Sequence, residues 1–181
     1  MQVVSVQVGP ARTVEHRGRS VRTGIFKDPV LFRVHVGRLG LDGDVQADRR
    51  VHGGPEKAVY AYDLSGYAYW RAALGRDLPH GQFGENLTVD GMPETQVRLD
   101  DVYRAGSALL QVASPRSPCF KLAMKMEQPD FAKPFLKSRR TGFYLRVLEE
   151  GEVGAGDAIT LVTREPGAPS IDTAVREAYG L

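Results

Sequence analysis

The chain has 181 residues and a formal net charge of +2, with 42% hydrophobic and 25% charged residues. That length suits one domain with a sizeable core. A charge so close to neutral excludes nucleic-acid binding by bulk charge alone, no apolar run reaches the ~20 residues of a membrane-crossing helix, and a single cysteine, Cys119, excludes an internal disulfide.

The first residues alternate as a strand, with Val4, Val6 and Val8 between polar neighbours, and then turn basic. They contain no apolar h-region and no small-residue cleavage site, so no secretory signal is expected. With one lone cysteine, the expected compartment is a reducing cytoplasm. Further strands are predicted at Val34 and Val36, at AVYAY (58–62), YRAGSALLQVA (103–113), FYLRVLEEGEV (143–153) and DAITLVT (157–163). Glycines punctuate these runs, as short strands and tight turns require.

Three helices are predicted. The first starts at an Asp63 or Ser65 cap and runs through YAYWRAAL to Gly75, a C′ glycine. CFKLAMKM (119–126) follows Pro118, and SIDTAVREAY (170–179) starts at a Ser170 cap. Strands and helices do not alternate regularly, which disfavours a doubly wound parallel sheet. The fold class expected is mainly β (α+β): a mixed β-barrel with a few short peripheral helices. It would span residues 1–164, with a linker and C-terminal helix over 165–181.

Three segments carry chemistry-bearing residues. GLDGDVQADRRVHGG (40–54) packs Asp42, Asp44, Gln46, Asp48 and His52 between glycines. It lacks the glycine and distal glutamate of a calcium loop, which leaves a structural turn or a ligand-binding loop. The adjoining Lys57 suits an anion. GQFGENLTV (81–89) places Glu85 and Asn86 just before a strand. There they serve either a ligand's ring edge or a hydrogen-bonded turn. ASPRSPCFKLAMK (113–125) is the sharpest of the three. Cys119 follows Pro118 at a predicted helix N-terminus, between Arg116 and Lys121, where a thiolate is favoured. The competing reading is a buried structural cysteine. From Cys119 to Arg140 six Lys and Arg face only Glu127 and Asp130, which fits a local anion site or a solvated helix face. One cysteine and four scattered histidines do not show zinc-ligand spacing.

TGIFK (23–27), GLDGDVQADRRVHGG (40–54), KAVYAYD (57–63), FGENLT (83–88), PRSPCFKLA (115–123) and GFYLRVLEEGEVGAGDAI (142–159) occur in one order. Together they resemble the MOSC superfamily and, within it, the YiiM-like branch. The resemblance implies a barrel that holds a molybdenum cofactor (molybdopterin). It implies reduction of N-hydroxylated compounds such as hydroxylamines and N-hydroxylated base analogues. Carried over by motif, Cys119, His52 and Asp48 form the catalytic group, with Cys119 the metal ligand. Lys27, Asp44, Gln46, Lys57, Glu85, Asn86 and Arg116 bind the cofactor. A soft thiolate suits a metal held by a dithiolene, and N–O reduction needs a proton donor, for which His52 or a carboxylate is the candidate. The implied partners are a small-molecule substrate and a separate electron-donor reductase, with no nucleic acid and no membrane. Because little follows Pro166 compared with the longer YiiM-like pattern, homo-oligomerisation is also expected. Two other readings stay open: a non-catalytic carrier of molybdopterin or another anionic ligand, and a cofactor-free cysteine-based sulfur carrier.

Overall fold

A computed structural model describes residues 1–47 and 53–181. Eight strands form the main sheet: β1 (Gln2–Val8), β4 (Asp28–Val30), β7 (Val59–Asp63), β8 (Leu87–Asp90), β9 (Val102–Ala105), β10 (Ala108–Pro115), β11 (Phe143–Glu149) and β13 (Ile159–Thr163). Their order is β13-β9-β10-β11-β7-β8-β1-β4. Three short strands, β5 (Val34–Gly37), β6 (Gly40–Leu41) and β12 (Gly151–Val153), make a second sheet. β2 (Arg12–His16) and β3 (Arg19–Thr23) form a separate two-stranded ribbon. The helices are α1 (Leu64–Leu74), α2 (Phe120–Met126), α3 (Ala132–Lys137) and α4 (Ile171–Tyr179). Among the described residues, no helix is long and apolar enough to cross a membrane.

The expectation of a barrel is corrected. β13 and β4 are the two edges of an open order, and no ladder joins them. The outer side of β1 is divided: its C-terminal half pairs with β4, while its start meets the 156–159 segment through the isolated Gln2–Ala158 bridge and the backbone hydrogen bonds of Val3 with Asp157 and Gly156 and of Ile159 with Met1. Closing a barrel requires a continuous staggered ladder, and this short contact forms no ladder.

The local signals at helix ends are realised. Asp63 accepts from the Ser65 N–H (2.9 Å) and Gly75 ends α1 in the left-handed conformation, as the spacing predicts. Ser170 caps α4 by accepting from the Thr173 N–H at 3.1 Å. The predicted strand over 103–113 is two strands, β9 and β10, broken by a turn at Gly106-Ser107. The alternation read at Val4, Val6 and Val8 is interrupted by a bulge between Val3 and Ser5, so Val3 and Val6 are buried while Val4 and Val8 are only half-buried. α3 and the β2–β3 ribbon carry no comparable signal in the sequence.

β7 is the wall between two cores. Side chains alternate across a strand, so Val59 and Ala61 join the sheet core with Val3, Leu87, Leu110 and Phe143. Tyr60 and Tyr62 face the other way, into a cluster with Tyr67, Trp70, Phe83, Leu122 and Phe135 that docks α1, α2 and α3. All five β7 residues are therefore buried. α4 packs Ile171 and Val175 into the sheet core.

The phenol of Tyr62 donates to the Arg140 carbonyl (2.9 Å) and that of Tyr60 to the Thr141 carbonyl (2.8 Å), which ties the loop before β11 to β7. Gly142 completes that loop at φ 67°, where a Cβ would lie 2.4 Å from the Ala61 carbonyl oxygen. Its N–H donates to the carboxyl of buried Glu94 (2.8 Å). Burial, reinforced by the charge of Asp63, pushes Glu94 up to about 7, against the opposing pull of the Gly142 N–H and Arg140. Between its ordinary value and about 7 the folded chain therefore holds a proton that the unfolded chain has released, so stability falls as pH rises through that window. The loss is roughly 3 kcal/mol for this group. Glu94→Gln should flatten that dependence, read as the difference in urea midpoint between pH 5 and pH 8; an identical slope in both proteins would show that Glu94 does not carry it.

Candidate functional site

A cleft opens on the Tyr60 side of β7. Its walls come from five places: the 23–27 segment after β3, the 44–47 turn, Lys57 with Tyr60, the loop before β8, and the 116–121 segment that enters α2, with Tyr144 of β11 beside it. Segments far apart in sequence must pack closely to make this wall. Gly84 (φ 84°) permits one such approach, since a Cβ there would sit 2.7 Å from the Ile25 side chain.

Most of the sequence-predicted cofactor residues line this cleft, but several already satisfy one another. Lys27 pairs with Asp44, their side chains only 8% and 4% exposed. Burial lowers the pKa of the Lys27 ammonium despite this partner. Asp44 also accepts from the Gly9 N–H (3.2 Å) and, through its other oxygen, from Asn86 Nδ2 (2.9 Å). Asn86 Oδ1 accepts from the Tyr60 N–H (3.1 Å). Gln46 donates to the carbonyls of Leu39 and Lys57 and accepts from the Gly54 N–H, each at 3.0 Å. These side chains fasten the 44–47 turn to β7 and to the strand β8.

Glu85 is fully buried and lies beneath the cleft, outside its lining. Its carboxylate accepts from the Tyr67 hydroxyl, the Gly81 N–H (2.7 Å), the Thr88 hydroxyl (3.0 Å) and the Phe83 N–H (3.1 Å). The turn alternative in the sequence is the one these bonds match. Lys125, on α2, donates to the carbonyls of Ile25 and Gly81 and so ties two cleft segments together; burial pushes it down to about 8.

The 116–121 segment is arranged differently. Cys119 is the N-cap residue of α2, half-buried, and its side chain makes no capping hydrogen bond. Arg116 is 5% exposed, with its guanidinium carbon 5.3 Å from the Tyr60 ring centre and 5.4 Å from that of Phe135. Burial opposes its charge, but nearby Tyr60, Tyr144 and Cys119 outweigh burial and raise its pKa. Among the described residues its Nη1 has no hydrogen-bond partner. The guanidinium also interacts with the Tyr144 hydroxyl, and it brings a buried positive charge to the wall of the cleft that holds Cys119. Lys57, with its ammonium 5.8 Å from the Tyr144 ring centre, and Lys121 line the same space.

Asp48 and His52 lie outside the described residues. Among the described residues, no three His, Cys, Asp or Glu side chains converge as a metal site. The sequence singled out Cys119, Arg116 and Lys57 but not Tyr60, Tyr144 or Ser117, which also line the cleft. Tyr60 sits inside KAVYAYD, where its alternation with Val59 and Ala61 was the only available signal.

Residues 48–160 match the family described as the MOSC domain. The chain is 41% identical over 177 residues to the uncharacterized protein YflK of Bacillus subtilis, covering 98% of this chain and 80% of YflK. It is similar to the crystal structure of YiiM from Geobacillus stearothermophilus, with a TM-score of 0.83 and 40% identity, over 98% of this chain and 83% of that one. A protein of Gibberella moniliformis named "Reductase" is 34% identical over 151 residues, which are 81% of this chain but 27% of that protein.

Proposed function

This chain belongs to the MOSC domain family, and on that premise we propose that it is a molybdenum-cofactor-dependent reductase of N-hydroxylated compounds with Cys119 as metal ligand. The observation that carries this reading is the convergence of Arg116, Lys57 and Lys121 on the cleft that also holds Cys119. A pterin phosphate or ring oxygen would accept charge-assisted hydrogen bonds from such a cationic wall. Lys57 and Lys121 add charge for the same anionic group, and Tyr60 and Tyr144 offer flat apolar walls to a heterocycle. Cys119 would hold the metal, a soft thiolate being suited to it. When bound, the cofactor supplies the two-electron redox chemistry, and the protein holds and orients it. Lys27, Asp44, Gln46 and Asn86 then act by fixing the wall on which the group rests. The similarity to a protein named "Reductase" supports the same reaction class.

Metal and pterin analysis of protein purified from a cofactor-competent host tests this. Molybdenum and pterin are expected in the wild type. Arg116→Met should lose at least tenfold of the retained pterin while unfolding at nearly the same urea concentration, because an apolar side chain of similar length keeps the packing on Tyr60 and Phe135. Metal-free wild-type protein with full reductase activity would overturn the proposal.

A further inference from the structure

Among the described residues, the β2–β3 ribbon pairs with no third strand. An isolated two-stranded hairpin gains little from its own packing, and here Val14 and Val21 are only half-buried while most other residues are exposed. Its composition is lopsided. Residues 12–23 hold Arg12, Arg17, Arg19 and Arg22 against Glu15 alone, while the whole chain has 24 Lys and Arg against 22 Asp and Glu. The ribbon thus carries the chain's positive excess, and the remainder is close to neutral. Arg12 pairs with exposed Asp28 at 2.6 Å. Arg17, Arg19 and Arg22 are exposed and meet no carboxylate among the described residues.

The ribbon reaches the cleft at its base and the start of α2 at its turn. At its base, Thr23 and the following Gly24 line the cleft. At its turn, the His16 ring lies 6.3 Å from that of Phe120, the residue after Cys119, and Phe120 is 54% exposed. Alternation along the paired strands puts Arg12 and Arg19 on the face of His16, and Arg22 on the opposite face with Glu15; Arg12 and Arg19, with Arg17 at the turn, therefore lie on the side of the exposed Phe120 ring and Cys119. Glu127 is the acidic residue in the groove between the ribbon and α2.

We propose that the β2–β3 ribbon and Phe120 form the docking face for an acidic, one-electron carrier protein that reduces the cleft. The inference rests on the reductase reading, and it adds where the electrons enter and what the donor's surface is like. Conversion of R–NHOH to R–NH2 and water takes up two electrons and two protons. Two successive dockings of a reduced [2Fe–2S] ferredoxin, each giving up one electron, supply the electrons, and solvent supplies the protons. Charge complementarity steers such encounters and keeps them brief, and electron-transfer interfaces are small, which fits a ribbon of twelve residues. Nucleic acid is the competing polyanion.

The experiment has two arms. In the first, oxidised acidic ferredoxin is titrated into the protein at 20 and 200 mM salt, followed by NMR shifts. Wild-type protein should bind at low salt and weaken at high salt, and R17E/R19E, changes confined to exposed side chains, should bind at least tenfold more weakly, whereas R22E, on the opposite face, should bind as the wild type does. In the second, cofactor-loaded protein is driven by reduced ferredoxin or by reduced methyl viologen. R17E/R19E should lose at least tenfold of the ferredoxin-driven rate and keep the viologen-driven rate. Unchanged ferredoxin binding in R17E/R19E, no binding by the wild type, or tighter binding of a DNA duplex than of ferredoxin would overturn the docking face. Loaded wild type that fails with viologen would overturn the reductase reading instead, and the first arm would still decide the docking.

Discussion

Asp44→Ala is expected to be the most damaging single change in the cleft, lowering stability by roughly 3–5 kcal/mol. The carboxylate pairs with Lys27, with both side chains almost entirely out of water, and serves Gly9 and Asn86 as well. Removing it strands a buried ammonium and two buried donors. Lys27→Met/Asp44→Leu removes both charges and should recover much of the loss, leaving chiefly the Gly9 and Asn86 donors unmet. The pH dependence has a definite sign. Burial already lowers the Lys27 pKa from its ordinary value, and without Asp44 it falls further. The unfolded chain then binds more protons than the folded one at alkaline pH, so the stability of Asp44→Ala rises with pH. The gap to the wild type should narrow as pH rises toward the ordinary lysine range in urea titrations. A constant gap, or a single variant no less stable than the double, would show that the ion pair is not what holds the 44–47 turn.

Cys119→Ser should have the largest effect on function and almost none on folding. Cys119 occupies the N-cap of α2 with extended backbone angles and no side-chain capping bond. Serine is a favoured N-cap residue, so the unfolding midpoint should stay within about 1 kcal/mol of wild type or rise slightly. A hydroxyl is a poor ligand for a thiophilic metal, so molybdenum content and any reductase rate should fall at least tenfold. Loss of stability with metal content intact would instead identify Cys119 as a packing residue. Because Arg116→Met tests the anion side of the cleft and Cys119→Ser the metal side, the pair separates loss of the whole cofactor from loss of one ligand.

The sequence by itself determined what depends on near neighbours. The caps at Asp63 and Ser170, the C′ glycine at Gly75 and the placement of Cys119 at the start of α2 were legible because each is set within about one helical turn. The ordered segments were sufficient for the family, and they brought Lys57, Arg116 and Cys119 onto the page together. The bulge in β1 was not legible, because a one-residue slip is decided by the partner strand. Nor was the open sheet, since closure depends on whether β4 and β13 meet, and those strands are more than a hundred residues apart.

In the site, residue type announced polarity but not who satisfies whom. Asn86 reaches Asp44 and Asp44 reaches Lys27 across separations of 42 and 17 residues. Glu85 collects its donors within one buried turn and with Tyr67 of α1. Only folding distributes those hydrogen bonds, because a buried polar group takes whichever partner the packing brings within reach. That distribution closes most of the motif residues into the wall and leaves Arg116, which lines the same cleft as Cys119, with one guanidinium nitrogen unpartnered among the described residues.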